Sequence, residues 1–131
     1  MTYYQKTYYT NAKKCEYNGS IYDSKLEAGY AQELDLLLKA GEILGWERQV
    51  KIPLVVNGYL IQNYYMDFVV YRDGETEYIE MKGYADEAFK KKWRLFEALY
   101  TQPGNKLTLI MQGKQKIPKA KKWKCANPSV K

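Results

Sequence analysis

Three tight-turn signals limit how the strands of this chain can pair. Asn18-Gly19, Asn57-Gly58 and Asp73-Gly74 each lie between segments rich in Tyr, Ile and Val. Asn-Gly and Asp-Gly are preferred in two-residue hairpin turns, because these residues tolerate positive φ. The segments on either side of each turn are therefore expected to pair as antiparallel strands.

The spacing of apolar residues predicts two helices and places the strands around them. Ser24 and Glu27 form a capping box at the start of a periodic apolar stretch, which predicts a helix over Ser24–Ala40, with Asp23 as the alternative N-cap. Aromatic residues on one face predict a second helix over about Asp86–Thr101. The predicted strands are a hairpin over Cys15–Tyr22, then Ile43–Leu54 continuing into Val55-Val56, Tyr59–Tyr71, Thr76–Met81 and Lys106–Met111.

Length and charge predict one domain with a basic tail. A chain of 131 residues suffices for a single packed domain, with a core over about 22–111, an arm and hairpin over 1–21 and a tail over 112–131. Residues 23–111 hold 11 basic and 14 acidic groups, whereas residues 112–131 hold seven lysines and no acid. This distribution indicates a polyanionic partner; a tail that only improves solubility is the alternative.

The chain contains no histidine, and this excludes several classes of enzyme. Ser-His-Asp and Cys-His catalysis, HNH-type nucleases and His-ligated zinc sites all need an imidazole. Cys15 and Cys125 are far apart and lack metal-ligand spacing, which predicts a reduced, cytoplasmic environment. Residues 1–10 are polar and no apolar run approaches the ~20 residues of a membrane span, so neither a signal peptide nor a membrane is expected.

Two predicted strands each carry an acidic residue among apolar ones. Asp67 follows Tyr-Tyr-Met and precedes Phe-Val-Val, and alternation along the next strand sends Glu80 and Lys82 to the same face. Because the Asp73-Gly74 turn joins these strands, Asp67 can lie beside Glu80. A buried carboxylate is costly unless it is paired or binds a cation, and two adjacent ones favour Mg2+ with its preference for oxygen ligands. The alternative is a surface pair of Glu80 and Lys82, with Asp67 near the turn.

A divalent cation at this position suits phosphodiester hydrolysis. It polarises a phosphoryl oxygen and helps to make hydroxide from a bound water. Lys82 would then orient the attacking water or stabilise the developing charge. Glu27 supplies a third carboxylate from the preceding helix, or else only caps that helix.

The order of these residues resembles that of the PD-(D/E)XK nuclease superfamily. Glu27 on a helix, Asp67 on a strand and Glu80-Met81-Lys82 on the next strand follow the pattern of that superfamily. The segment Tyr-Asp-Ser-Lys-Leu-Glu-Ala at residues 22–28 resembles a small phage family related to Holliday-junction resolvases. The similarity extends over residues 22–100. It implies an α/β (α+β) fold with a restriction-endonuclease-like αβββαβ core, in which helices flank a central mixed sheet.

The resemblance also implies roles for individual residues, with Mg2+ as the cofactor and Mn2+ as a substitute. Met66 stands where many members have Pro, a departure that leaves the ligand chemistry unchanged. Gln49 matches a polar position of similar phage sequences and is a candidate site residue. The implied catalytic residues and metal ligands are Asp67, Glu80, the Met81 carbonyl, Lys82 and, as a ligand of an outer or second metal ion, Glu27.

Two groups of lysines are expected to contact a phosphate backbone. They are Lys90, Lys91 and Lys92 in the second helix, and Lys119, Lys121 and Lys122 in the tail, with Lys114, Lys116 and Lys124 beside them. Such contacts attract any nucleic acid and weaken steeply with salt. No base-reading element is apparent, so recognition by shape is expected. A solvated helix face is the alternative interpretation.

These features together predict a Mg2+-dependent endodeoxyribonuclease. By the resemblance it would be a hydrolase that cuts branched DNA during phage recombination, repair or replication in the host cytoplasm. A homodimer would place two sites on two strands, with the Tyr-rich arm and hairpin as the contact. The alternatives are a non-catalytic DNA-binding protein that keeps the fold, and a nuclease with RNA or sequence-specific substrates.

Overall fold

A four-stranded mixed sheet lies at the centre of the structure, with one helix packed on each face. A computed structural model describes residues 14–22, 24–112 and 117–123. The strand order is β3-β4-β5-β6, antiparallel except for the parallel pair β5 and β6, which confirms the predicted α+β class and the order αβββαβ. In chain order the elements are β1 (Cys15–Tyr17), β2 (Ser20–Tyr22), α1 (Lys25–Lys39), β3 (Gly45–Val56), β4 (Tyr59–Arg72), β5 (Glu75–Lys82), α2 (Glu87–Tyr100) and β6 (Asn105–Met111).

The three hairpin turns form where the sequence predicts them, but they are not all of one type. In Asn18-Gly19 and Asn57-Gly58 both residues have positive φ, 51° for each Asn and 82° for each Gly. In Asp73-Gly74 only the glycine does, at 74°. Asn-Gly therefore adopts the mirror-image turn that matches strand twist, whereas the turn between β4 and β5 depends on glycine at its second position.

The first helix begins at its predicted cap, Ser24, and the second begins at a cap that was not predicted, Asp86. The Ser24 hydroxyl accepts a hydrogen bond from the Glu27 backbone amide at 3.2 Å, and the Asp86 carboxylate accepts one from the Phe89 amide at 2.8 Å. Each side chain thereby satisfies an amide that has no partner within the first helical turn.

Each helix packs on the sheet through its own apolar cluster. Asp35 additionally ties α1 to the first hairpin and to β3, because it accepts hydrogen bonds from the Tyr17 hydroxyl at 2.6 Å and from Trp46 Nε1 at 2.9 Å. The α1 cluster consists of Tyr22, Ala28, Ala31, Leu34, Ile43, Phe68, Val70, Ile79 and Met81. The α2 cluster consists of Ile52, Leu54, Tyr64, Met66, Val69, Ala85, Phe89, Trp93 and Phe96.

Both β3 and β4 change faces part-way along their length. Phe68 belongs to the α1 cluster, whereas Met66, two residues earlier, belongs to the α2 cluster. On β3, Trp46 packs against the α1 cluster but Val50 packs against the α2 cluster. Regular alternation would keep each of these pairs on one face. The irregularity on β3 coincides with Gln49, which has a φ of 52°.

Part of the predicted tail lies along α2. Residues 117–123 have no regular secondary structure, yet Ile117 packs against the α2 cluster and the Ala120 amide donates to Glu97 at 2.7 Å. In the described ranges, neither helix is long and apolar enough to cross a membrane. Some predicted features lie outside the described residues: the arm over 1–12, Asp23, Cys125, Lys114, Lys116 and Lys124.

Candidate active site

Asp67 lies where β4 separates from β5. The ladder between these strands ends at the pair of Phe68 with Ile79. Beyond that pair, the Met81 amide donates to Asp67 Oδ2 at 2.9 Å, and Gln49 Nε2 donates to Asp67 Oδ1 at 3.2 Å. Both oxygens of this buried carboxylate are therefore held, one from each neighbouring strand.

Glu80 lies beside Asp67, as the sequence predicts. Ile79 and Met81 belong to the α1 cluster, so alternation places Glu80 on the face covered by α2. Its Oε1 accepts a hydrogen bond from the Tyr64 hydroxyl at 2.9 Å, and its carboxyl group lies close enough to that of Asp67 for the two to interact electrostatically.

The electrostatics of this pair oppose ionisation of both carboxyl groups at once. Burial, followed by the negative charge of Asp67, raises the pKa of Glu80 well above its usual range. Burial also raises the pKa of Asp67, although the Met81 amide opposes this shift. Two carboxyl groups in one buried site cannot both ionise cheaply unless a cation joins them.

Lys82 completes this group from the same face of β5. Its Nζ lies 4.7 Å from the centroid of the Phe89 ring of α2. Burial lowers the pKa of Lys82, the charge of Glu80 opposes that shift, and the charge of Lys92 adds to it. The structure thus brings two carboxyl groups and an ammonium group into one buried site.

The carbonyl of Met81 lies on the same side of β5 as Asp67. The Gln112 amide donates to the Lys82 carbonyl at 3.0 Å, so the backbone N–H and C=O groups of Lys82 face β6. In a strand the N–H and C=O groups of one residue point to the same side, and those of the next residue point to the other side. Accordingly, the Met81 amide points to Asp67. The Met81 carbonyl is therefore directed toward the gap between β4 and β5, where the resemblance predicts a metal ligand.

Glu27 is buried on α1, and its backbone amide is capped by Ser24. Within the three described ranges, no group of three or more His, Cys, Asp or Glu side chains is arranged to hold a metal ion. The carboxylate centre consists of Asp67 and Glu80, and the role of Glu27 at an outer or second metal ion stays a prediction.

The predicted nucleic-acid contacts have different surroundings. Lys90 Nζ lies 3.9 Å from Glu87 Oε1, and Lys91 is exposed. Lys92 instead extends toward the active site, where its Nζ lies 4.5 Å from the centroid of the Tyr64 ring. The tail segment that lies along α2 exposes Lys119, Lys121 and Lys122.

Two residues of the site, Tyr64 and Phe89, were not predicted to belong to it. Tyr64 is one of 14 tyrosines, so its residue type carries little information. The sequence could still have located it, because alternation places Tyr64 on the same face as Met66. Tyr65, its neighbour, is exposed. Phe89 was predicted only as part of an apolar helix face.

Fold and site together define an α+β protein with a buried centre of two carboxyl groups and a lysine. A family model described as "Protein of unknown function (DUF1064)" matches residues 6–117. The chain therefore belongs to this family. No curated protein and no solved structure matches the chain.

Proposed function

We propose that this protein is a metal-dependent endonuclease that hydrolyses DNA phosphodiester bonds. The observation that supports this most directly is the buried pair of Asp67 and Glu80, with Lys82 on the same strand face as Glu80. Burial of like-charged groups destabilises a folded chain, so such a pair in a packed sheet favours a functional role. The resemblance to PD-(D/E)XK nucleases assigns the same three residues.

The donor groups fit a hard divalent cation. Asp67 and Glu80 supply carboxylate oxygens, and the Met81 carbonyl is directed to the same gap. Such ligands suit Mg2+ and also Mn2+. When bound there, the ion would polarise a phosphoryl oxygen and lower the pKa of a water. The repulsion between the two carboxylates would be relieved at the same time.

Residues of the chain itself would hold the reacting groups in place. Gln49 orients Asp67, and Tyr64 orients Glu80. Lys82 Nζ is a donor for the attacking water or for the oxygen on which negative charge develops. The Phe89 ring next to Lys82 limits the access of bulk water, and an ammonium in drier surroundings interacts more strongly with a phosphate.

The exposed lysines support a nucleic acid as the substrate. They suit a phosphate backbone, which every sequence shares, better than base edges. We therefore propose that the enzyme recognises the structure of DNA, with branched DNA preferred by analogy with junction resolvases. A cytoplasmic homodimer with two active sites would cut both strands. The lysines in question are Lys91, Lys119, Lys121 and Lys122, with the partly exposed Lys90 beside them.

Cleavage by matched variants tests this proposal. The substrates are a four-way DNA junction, a flap, a linear duplex and an RNA of matched sequence, each with Mg2+ or with EDTA. Wild-type protein should cut with Mg2+ only, and Asp67→Asn should lose cleavage. Lys82→Ala should lower the rate by about 10²–10⁴-fold, the range for a positioned proton-transfer group. Asp73→Asn, which changes an exposed carboxylate in the turn between the same strands, is the control and should cut like wild type.

Each other result has a definite meaning. Equal cleavage by wild type, Asp67→Asn and Lys82→Ala would contradict the site assignment. DNA binding without cleavage in either Mg2+ or Mn2+ would favour the non-catalytic alternative. Preference for the RNA, or for one duplex sequence, would replace the proposed substrate.

A further inference from the structure

Lys92 reaches the candidate active site from α2, across from the strand that carries Glu80 and Lys82. Its Nζ lies 4.5 Å from the centroid of the Tyr64 ring and 5.7 Å from that of Phe89. The Tyr64 hydroxyl donates to Glu80, and the Phe89 ring also lies 4.7 Å from Lys82 Nζ. Lys92 thus contacts one ring whose hydroxyl is hydrogen-bonded to Glu80 and a second ring that also contacts Lys82.

The two preceding lysines do not share this position. Lys90 is paired with Glu87 one helical turn earlier, and Lys91 is exposed on the solvent side of α2. Lys92 is partly buried, and its ammonium is placed over two aromatic faces. Such contacts hold a cation in position while N–H groups that point away from the rings remain available to an anion.

The charged groups around Lys82, which include Lys92, would leave an excess positive charge once the carboxylates hold a divalent cation. Asp86 is a further acidic group that acts on Lys82. The divalent cation and the two lysines then carry one positive charge more than the acidic groups, which are Asp67, Glu80 and Asp86. A phosphodiester carries a single negative charge and would balance this excess.

We propose that Lys92 binds a non-bridging oxygen of the scissile phosphodiester. This assignment rests on the proposed nuclease function and gives each of two lysines a separate role in the reaction. Lys82, next to Glu80 on β5, acts on the attacking water, whereas Lys92, on α2, holds the phosphate. In the run Lys90-Lys91-Lys92, only the last residue then contributes to the reaction, and Lys91 contributes at most to general attraction of the backbone.

Substitution by methionine separates charge from packing. Lys92→Met and Lys91→Met each remove an ammonium group and keep an unbranched apolar stem that can still cover neighbouring side chains. Steady-state cleavage of the four-way junction with Mg2+ would be measured for both variants, for Lys92→Arg and for wild type, together with thermal melting. Lys92→Met should lower kcat by about 10²–10³-fold, as loss of one preorganised transition-state donor does.

The two controls should behave differently. Lys91→Met should change only KM, by less than about tenfold, and lower salt should restore its binding, as expected for a backbone contact. Lys92→Arg should recover part of the lost kcat, because it restores the positive charge. Melting temperatures of the three variants should stay close to that of wild type.

Three outcomes would overturn the assignment. Equal kinetics of Lys92→Met and Lys91→Met would show that Lys92 is an ordinary backbone contact. A loss of kcat that Lys92→Arg does not recover and that accompanies a lower melting temperature would show a packing role. If wild type cuts none of the substrates, the nuclease proposal itself fails, and the role of Lys92 fails with it; cleavage by wild type distinguishes the first two outcomes from this one.

Discussion

Glu77 and Glu80 are both buried on β5, but the charges around them differ. Glu77 Oε1 lies 3.2 Å from Arg72 Nη2, and its Oε2 accepts a hydrogen bond from Thr108 at 2.6 Å and lies 3.9 Å from Lys106 Nζ. Glu80, on the other face of the strand, has a second carboxyl group as its neighbour. Each carboxylate has a hydroxyl donor and a nearby cation, but only Glu80 also shares its site with a second acidic group.

This contrast separates a buried charge that the protein itself balances from one that it does not. The charge of Glu77 is balanced by groups of the protein itself, which makes its burial tolerable without any ligand. Glu80 and Asp67 share the single nearby positive charge of Lys82. When both are ionised, one negative charge therefore stays unbalanced, and a bound cation would neutralise it. Burial alone therefore does not distinguish the two carboxylates; the charges of their neighbours do.

Exchange of each glutamate for its amide gives the largest expected difference. Glu80→Gln should abolish Mg2+-dependent cleavage, because a neutral amide oxygen is a much weaker ligand for a hard cation. Glu77→Gln should cut at close to the wild-type rate. Cleavage of junction DNA by the two purified variants measures this difference. If Glu77→Gln is as inactive as Glu80→Gln at a temperature where both are folded, the distinction between the two sites is wrong.

Removal of one hydrogen-bond donor to each carboxylate gives a smaller effect. Gln49→Ala should lower cleavage or metal affinity by about 10–100-fold, the usual effect of losing a group that orients a metal ligand. Thr108→Val removes the corresponding donor to Glu77 and should leave cleavage unchanged. Metal titrations by calorimetry, in parallel with cleavage, measure both. Wild-type affinity and rate in Gln49→Ala would mean that Asp67 is positioned well enough by Met81 alone.

Stability should respond with opposite signs at the two positions. At neutral pH in EDTA, Glu77→Gln should lower the free energy of unfolding by about 1–3 kcal/mol, because it weakens charge-assisted hydrogen bonds. Glu80→Gln should raise it under the same conditions, because it removes the cost of ionising a buried carboxyl group beside Asp67. Urea or thermal unfolding of the two variants and wild type measures both changes.

The effect at Glu80 should also depend on pH. The folded-state pKa of Glu80 is raised above its usual value of 4.5, so the protonated carboxyl stabilises the fold at low pH. That contribution is fully present below about pH 4.5 and is lost as pH rises through the folded-state pKa. The advantage of Glu80→Gln should therefore grow from acidic to neutral pH and disappear at pH 4. An advantage that is independent of pH would exclude this cause.

Much of the fold was predictable because its signals are local. Ser24 caps the first helix as predicted, the second helix begins next to its predicted start at Asp86, and Asn57-Gly58 and Asp73-Gly74 join the strands at the predicted positions. The proximity of Asp67 and Glu80 followed from one short turn between adjacent strands.

The remaining parts of the site depend on irregular or distant contacts. Alternation along β3 and β4 does not predict the change of faces near Gln49, because nothing in its residue type signals a positive φ. Lys92 could not be distinguished from Lys90 and Lys91 in the sequence, since only the rotation of α2 against the sheet decides which lysine meets Tyr64. The pairing of Glu77 with Arg72 was not predicted either.

The change of faces in β3 and β4 also bears on how this chain tolerates insertions and deletions. A one-residue deletion near Gln49 would shift every following residue of β3 by one position, turning Val50, Ile52 and Leu54 away from the α2 cluster. It would also remove the side-chain amide of Gln49 from its position beside Asp67. Changes of length at Asn57-Gly58, at the exposed end of the same hairpin, leave both alternations intact. Length variation among natural or designed relatives is therefore expected at the tip of this hairpin and not at its base.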